Sequence, residues 1–142
     1  MRIFINISNL IQGGSIQVAH SFLSELNKLK LNNKYLVVSN KNFSIDIFLF
    51  DIRFRFETVE ASPSKFNNRF KIGKKLTKLE QSFDPDIVFT LFGPSYWKPK
   101  SIHVSGFADG WVYNPSSVAY KKLNFFSHFK RIFLNYYKIW RL

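Results

Sequence analysis

The sequence predicts an α/β domain, with a Rossmann-like parallel sheet flanked by helices. Two observations support this fold class. Short apolar segments typical of strands alternate with longer segments whose apolar residues recur every three or four positions. Three of the strand-like segments are followed by loops that contain glycine. Alternating strands and helices favour a parallel sheet with right-handed crossovers, and 142 residues are enough for one domain with a core of its own.

The individual elements follow from these patterns. Residues 3–8 are nearly all apolar, as in a strand buried on both faces. Residues 16–30 have the spacing of an amphipathic helix, for which Ser15 is the predicted N-cap and Asn32 and Asn33 the predicted stop. Residues 43–50 fit either a short helix or a strand. The remaining predicted strands are 35–39, 54–59, 87–91 and 102–105, and a second helix is predicted at 65–83 with a solvated basic face.

The first loop, with Gly13, Gly14 and Ser15, joins a strand to a helix. Glycines leave the backbone N–H groups at a helix N-terminus accessible, which favours binding of a phosphate or sugar oxygen. The loop lacks the third glycine and the later acid of a dinucleotide-binding motif, and no Gly-Lys-Ser/Thr follows as in a Walker loop. A plain β–α turn is the alternative interpretation, because short loops of this kind often contain glycine.

Two later loops are expected at the same edge of the sheet. One follows the strand at 87–91, and the other follows the strand at 102–105. Ligands of open parallel sheets bind outside the carboxyl ends of the strands. The predicted substrate-binding residues of all three loops are Gly13, Gly14, Ser15, Gly93, Ser95, Tyr96, Gly106 and Trp111.

Composition narrows the classes of partner. The 21 Lys and Arg against 9 Asp and Glu give a net charge of +12, which attracts nucleic acid, anionic lipid or a phosphorylated substrate. There is no cysteine, and the three histidines are far apart in sequence, so we expect no disulfide and no metal site. The N-terminus does not have the pattern of a secretory signal, and no apolar stretch is long enough to span a bilayer. We therefore expect a cytoplasmic protein.

The order and spacing of four segments resemble a known family. They are the Gly13–Gly14 loop, the Asp84-Pro85-Asp86 approach to a strand, residues 92–97 and residues 106–111. Together they resemble the N-terminal half of a bacterial GT-B glycosyltransferase of the retaining group 1/family 4 kind, and residues 111–115 fit members associated with surface polysaccharide assembly.

The resemblance implies a function. Residues 1–142 would form the acceptor-side domain, incomplete and without the donor-binding domain, so the chain alone would be inactive. The donor would be a sugar nucleotide, with no further cofactor, and the acceptor a glycan or a lipid-linked sugar. Many members have a histidine near the reacting sugar; Asp109 lies in the comparable loop, so it is the candidate catalytic residue or else a turn cap. A non-catalytic module that binds a phosphate- or glycan-bearing ligand is the alternative function.

The basic, aromatic tail at residues 120–142 contains no acid. As a helix it would gather its aromatic residues on one face, which suits the interface of an anionic membrane at the inner face of the plasma membrane. The alternative is a core helix whose apolar face packs on the domain, or on the part of the domain that is missing. Nucleic-acid binding is not expected, because no RNP, KH or zinc-finger pattern is present. The predicted membrane-interface residues are Lys130, Arg131, Phe133, Lys138, Trp140 and Arg141.

Overall fold

The predicted α/β fold is confirmed in the computed structural model, which describes residues 1–107, 114, 118 and 122–140. Five parallel strands form one sheet in the order β3-β2-β1-β4-β5, with helices on its faces. The strands are β1 (Arg2–Asn6), β2 (Lys34–Asn40), β3 (Phe54–Val59), β4 (Ile87–Thr90) and β5 (Ile102–Ser105). The helices are α1 (Gly14–Lys28), α2 (Phe66–Phe83) and α3 (Phe125–Trp140), and a short 3₁₀ turn covers Ile47–Leu49.

The start of α1 differs from the prediction. Gly13 occupies the N-cap position with φ 76°, so the prediction of Ser15 as N-cap was wrong. The helix therefore begins without a side-chain cap. Ser15 lies inside the first turn and donates its hydroxyl to the carbonyl of Gln12 at 3.1 Å. A positive φ is the conformation that glycine adopts without a steric penalty, and this explains why the chain turns into the helix two residues earlier than expected.

The ends of β1, α1 and the 3₁₀ turn also differ from, or refine, the predicted boundaries. β1 ends two residues early because the Asn6 side-chain oxygen accepts hydrogen bonds from the Ser8 amide at 3.1 Å and the Ser8 hydroxyl at 2.7 Å. α1 ends at Lys28, before the predicted stop. Residues 43–50, for which the sequence allowed a short helix or a strand, contain the 3₁₀ turn. The turn begins where the Asp46 side chain accepts a hydrogen bond from the Phe48 amide at 3.0 Å.

Apolar side chains from the two faces of the sheet build two cores. The core beneath α1 includes Ile5, Leu23 and Val37, and the core beneath α2 includes Phe4, Leu76 and Val88. Each of β1, β2 and β4 therefore buries both faces. This accounts for the nearly continuous apolar runs in the sequence, which are typical of central parallel strands.

The Asp84-Pro85-Asp86 segment lies at the amino edge of the sheet, opposite the glycine loops. Asp84 ends α2 in a left-handed conformation with φ 49° and forms an ion pair with Arg2. Asp86 accepts a hydrogen bond from the Arg2 amide at 2.7 Å. In this structure the segment joins α2 to the start of β1, so its role is to fix the fold.

α3 lies with its aromatic face toward solvent. Asn124 begins the helix by accepting a hydrogen bond from the Ser127 amide at 2.9 Å. Asn135 is only 8% exposed, whereas Phe126 is 84% and Phe133 71% exposed. The part of the domain that the structure describes does not cover the aromatic face, so packing of this face on a further part of the domain stays a prediction. In the same residues, no helix combines the length and apolarity needed to cross a membrane.

Candidate functional site

A cleft of about 560 Å³ opens at the carboxyl edge of the sheet, between the loops that follow β1 and β4. From β1 the chain proceeds to β2 and β3 on one side, and it later returns to β4 on the other side. The cleft is therefore at the topological switch point, where ligands of open α/β sheets bind. Its walls include Gln12 and Ser15 from the first loop and helix, Ser64 from the loop before α2, and Tyr96 from the loop after β4.

Asn9 joins the two loops that form the cleft. Its side-chain amide donates hydrogen bonds to the carbonyl oxygens of Phe92 and of Pro94, the latter at 3.2 Å. On the other side, the Ser62 hydroxyl donates to the Asn9 carbonyl at 3.3 Å. Because one side chain links two loops separated by more than eighty residues in sequence, the width of the cleft is determined by specific hydrogen bonds.

The N-terminus of α1 supplies the polar character of one wall. The first amides of a helix lack intrahelical acceptors and carry partial positive charge, so they favour an anion. A Cβ built on Gly14 would meet no atom within 4 Å, which leaves this end of the helix open to an approaching group. The positive φ belongs to Gly13 alone of this pair, so the two glycines serve different purposes.

Lys138 brings a cation from α3 to the same cleft. The sequence predicts this lysine as a membrane-interface residue, which stays a prediction; in the structure it lines the cleft with the first loop and Tyr96. A helix N-terminus and an ammonium group in one cleft favour a ligand with a phosphate or carboxylate. Polar side chains and the ring of Tyr96 suit the hydroxyls and the C–H faces of a sugar.

The loop after β4 is anchored to α2, which holds Tyr96 in place. Trp97 is buried against Phe4, with ring centroids 5.6 Å apart, and its Nε1 donates to the Thr77 hydroxyl at 2.9 Å. The carboxylate of Glu80 accepts hydrogen bonds from the Lys100 and Ser101 amides at 2.7 and 2.9 Å. These contacts fix the loop after Tyr96, and the hydrogen bonds from Asn9 fix it before Tyr96, so the loop forms a well-anchored wall of the cleft.

The predicted site residues are only partly brought together. Ser15, Gly93 and Tyr96 line the cleft, and Gly13 and Gly14 precede Ser15 in the same turn. Ser95 and Gly106 do not line it. Asp109 and Trp111 lie outside the described residues, as do Arg141 and the side chain of Trp140.

Ser95 and Gly106 stabilise the two loops after β4 and β5 instead of lining the cleft. Ser95 is 2% exposed, and its hydroxyl donates to the Trp97 carbonyl within the loop. The Gly93 amide donates to the Gly106 carbonyl at 2.6 Å, and the Gly106 amide donates to the Thr90 carbonyl at 2.9 Å. A Cβ on Gly106 would overlap the carbonyl oxygen of Leu91, so glycine is needed there for close packing of two loops.

Several residues of the site were missed from the sequence. They are Asn9, Gln12, Ser64 and, as a cleft residue, Lys138. Asn9 and Gln12 belong to the segment that joins the first strand to the glycines, so their position after a strand was a usable signal. Ser64 and Lys138 reach the cleft only through the tertiary fold, and no local pattern indicates this.

A partly buried polar network joins β1, β4 and β5 within the sheet. The Thr90 hydroxyl is 2.9 Å from His103 Nε2, and the Asn6 side-chain amide donates to the same hydroxyl at 3.4 Å. Burial lowers the pKa of His103, against the opposing charge of Glu80, which raises it. The imidazole is therefore held in its neutral form, as a hydrogen-bonding partner of Thr90.

Comparison with protein-family models gave no match, and comparisons with curated proteins and with solved structures gave no significant match. The resemblance to GT-B glycosyltransferases accordingly stays a prediction that rests on the sequence motifs.

Proposed function

We propose that this chain is the acceptor-side domain of a sugar-nucleotide-dependent glycosyltransferase that extends a glycan or lipid-linked acceptor. The observation that carries the proposal is the cleft at the switch point of the sheet, where the open N-terminus of α1 and Lys138 meet the well-anchored wall with Tyr96. The motifs that resemble the GT-B family supply two walls of this cleft, the first loop and the loop after β4.

The chemistry of the cleft suits a substrate that joins a sugar to a phosphate. Helix amides and an ammonium group stabilise negative charge on phosphate oxygens. Gln12, Ser15 and Ser64 offer donors and acceptors for sugar hydroxyls at the same time. Positioning of this kind raises the rate of transfer by holding the acceptor against the donor, while the transferred sugar and its leaving diphosphate would be held mainly by a second domain.

Binding by the 142-residue chain tests the cleft directly. We expect isothermal calorimetry to detect sugar 1-phosphates and nucleoside diphosphate sugars, and to detect the same sugars without phosphate much more weakly. Gly14→Val should abolish binding by filling the open space at the helix N-terminus, and Lys138→Met should weaken it about tenfold or more by removing a charge-assisted contact. Equal binding by these variants and the parent chain would exclude the cleft as the site.

Transfer itself separates the enzyme from a non-catalytic binding module. We expect no transfer by this chain alone with a panel of sugar nucleotides, because the transition-state charge on the diphosphate needs further donors. The resemblance to the GT-B family implies a second Rossmann-like domain with two glutamates seven residues apart, and we expect the DNA that follows the coding region to encode it. A chain that binds the phosphorylated sugars, with no such domain encoded, would identify the binding module instead.

A further inference from the structure

α3 presents an aromatic face that the described residues leave uncovered. Phe125 is 75% exposed, Phe129 68%, Phe133 71% and Tyr136 72%. These residues recur at three- and four-residue steps, so they share one side of the helix. Phenylalanines exposed to this extent in water are unfavourable unless another apolar phase covers them.

α2 extends this aromatic surface. Phe66 and Phe70 of its first two turns are 83% and 75% exposed. Arg69 connects the two helices: its guanidinium carbon lies 5.6 Å from the ring centroid of Phe66 and 5.5 Å from that of Tyr137, and its Nη1 donates to the Tyr137 hydroxyl. The exposed aromatic residues of α2 and α3 therefore lie on adjoining parts of one surface, called here the α2–α3 surface.

A basic groove runs along α2 within the same surface. It encloses about 660 Å³ and is bordered by Arg69, Lys74 and Lys78, with Gly73 among the residues that line it. A Cβ on Gly73 would meet only one atom of Trp97, at 4.0 Å, so the absence of a side chain leaves the groove open. Arg69 Nε is buried and has no hydrogen-bond acceptor among the described residues, which leaves one donor of the groove unsatisfied.

Acids are scarce in the sequences of α2 and α3. Glu80 is the one acid in the α2 sequence, and it is 3% exposed. The α3 sequence contains none. Five acids belong instead to residues 25–60, on α1 and the segments around β2 and β3. One of these, Glu60, pairs with Lys71 of α2 at 2.5 Å. The surface residues named above are aromatic or basic, so positive charge predominates on the α2–α3 surface.

We propose that the α2–α3 surface docks on an anionic lipid bilayer, with the aromatic rings in the interface and an acidic headgroup in the groove of Arg69, Lys74 and Lys78. Aromatic residues partition into the headgroup region, and nearby lysines and arginines are attracted to anionic lipids. A second copy of the chain is a poor occupant because both partners would bring positive charge to the contact, and the net charge of each is +12. Docking requires no sugar and no transfer activity.

Vesicle co-sedimentation of the full chain tests the proposal. We expect binding to phosphatidylcholine vesicles with 30 mol% phosphatidylglycerol, and weak binding to phosphatidylcholine alone. Lys74→Gln/Lys78→Gln should weaken binding by up to about 30-fold at low salt, following the attraction expected for each base near the surface. The matched control Lys28→Gln/Lys34→Gln also removes two exposed bases and should change binding little, since these lie on α1 and β2.

The aromatic rings are tested with a second matched pair. Phe129→Ser/Phe133→Ser should reduce binding to anionic vesicles at least tenfold. Phe48→Ser, which alters a residue 91% exposed on the 3₁₀ turn, should leave it unchanged. Circular dichroism on each variant confirms that the fold is retained, as expected for exposed positions.

Three results would overturn the proposal. They are equal binding to neutral and anionic vesicles, no binding to either, and equal losses for the groove variants and their controls. Sedimentation equilibrium provides a further check: a concentration-dependent dimer that Phe129→Ser/Phe133→Ser dissociates, without vesicle binding by the parent chain, would assign the surface to a second copy. Because the calorimetric experiment on the cleft uses no lipid, failure of membrane docking is distinguishable from failure of the proposed function.

Discussion

Apolar side chains are buried in the sheet and its two packed helices α1 and α2, called here the sheet unit, but exposed on α3. In the sheet, Phe4, Leu76 and Val88 are each fully buried, and loops such as 92–101 are fixed to the core. In α3, the strongest aromatic face of the sequence is exposed, and the contacts with the domain include Arg69–Tyr137 and Lys138 at the cleft. The comparison shows that an amphipathic pattern identifies an apolar helix face. The pattern alone does not indicate whether that face packs on its own domain.

The largest contrast is expected from truncation of apolar side chains in the two regions. Leu76→Ala should lower the free energy of unfolding by about 2–5 kcal/mol, because it leaves a cavity in the core beneath α2. Phe133→Ala should change it by no more than about 0.5 kcal/mol, since the ring is 71% exposed. Urea unfolding followed by circular dichroism measures both. A loss of several kcal/mol for Phe133→Ala would show that α3 is packed as part of the core.

The next effect separates the two glycines of the first loop. Gly13→Val should destabilise the fold by about 2 kcal/mol, because a β-branched residue is strained at φ 76°. Gly14→Val should leave thermal stability nearly unchanged, since its Cβ would have open space, and should affect ligand binding only. Differential scanning calorimetry of the two variants measures this. Equal melting temperatures would contradict the different roles assigned to the two positions.

A smaller effect is expected at the junction between α3 and the sheet unit. Arg69→Met should loosen α3 by about 1 kcal/mol, because it removes the hydrogen bond to Tyr137 and the ring contacts. Amide hydrogen exchange in α3 should then accelerate about fivefold, while exchange in β1 stays unchanged. Lys74→Met, which removes a neighbouring base on α2, serves as the control. Faster exchange throughout the sheet would mean that the two regions unfold as one unit.

The smallest expected effect is a pH dependence of the sheet unit. Because burial lowers the pKa of His103 in the folded state, the unfolded chain binds a proton more readily. The stability contributed by the neutral imidazole is present above the unfolded pKa, near 6.5, and is lost as pH falls below it. Thermal melts between pH 8 and 5.5 should show this decline, and His103→Gln should reduce it. An unchanged pH profile in that variant would exclude His103 as the source.

The parallel sheet was predictable because its signal is local and repeated. Residues 54–59 and 102–105 were placed correctly, since strand ends there coincide with changes in composition. The helix start at Gly14 was missed because a serine next to a helix suggests a cap, whereas the backbone conformation of Gly13 decided the boundary. Propensity is a weak guide to a terminus when a glycine with positive φ can end the loop earlier.

The cleft was predictable in position but not in its residues. Glycine loops after parallel strands indicate the carboxyl edge, and Ser15, Gly93 and Tyr96 do line the cleft there. Ser95 and Gly106 satisfy the same pattern, but they are used for loop packing, which depends on contacts between segments far apart in sequence. Lys138 illustrates the same limit, because an amphipathic helix alone does not reveal which of its lysines will face the domain.

The position of Tyr96 has a thermodynamic consequence. It lines both the cleft and the groove along α2, and the guanidinium carbon of Arg69 lies 5.0 Å from its ring centroid. If occupancy of one cavity changes the preferred orientation of this ring, the two cavities are linked by a coupling free energy. Linkage is reciprocal, so a headgroup that tightens substrate binding by a given factor must itself be bound more tightly, by the same factor, when the substrate is present.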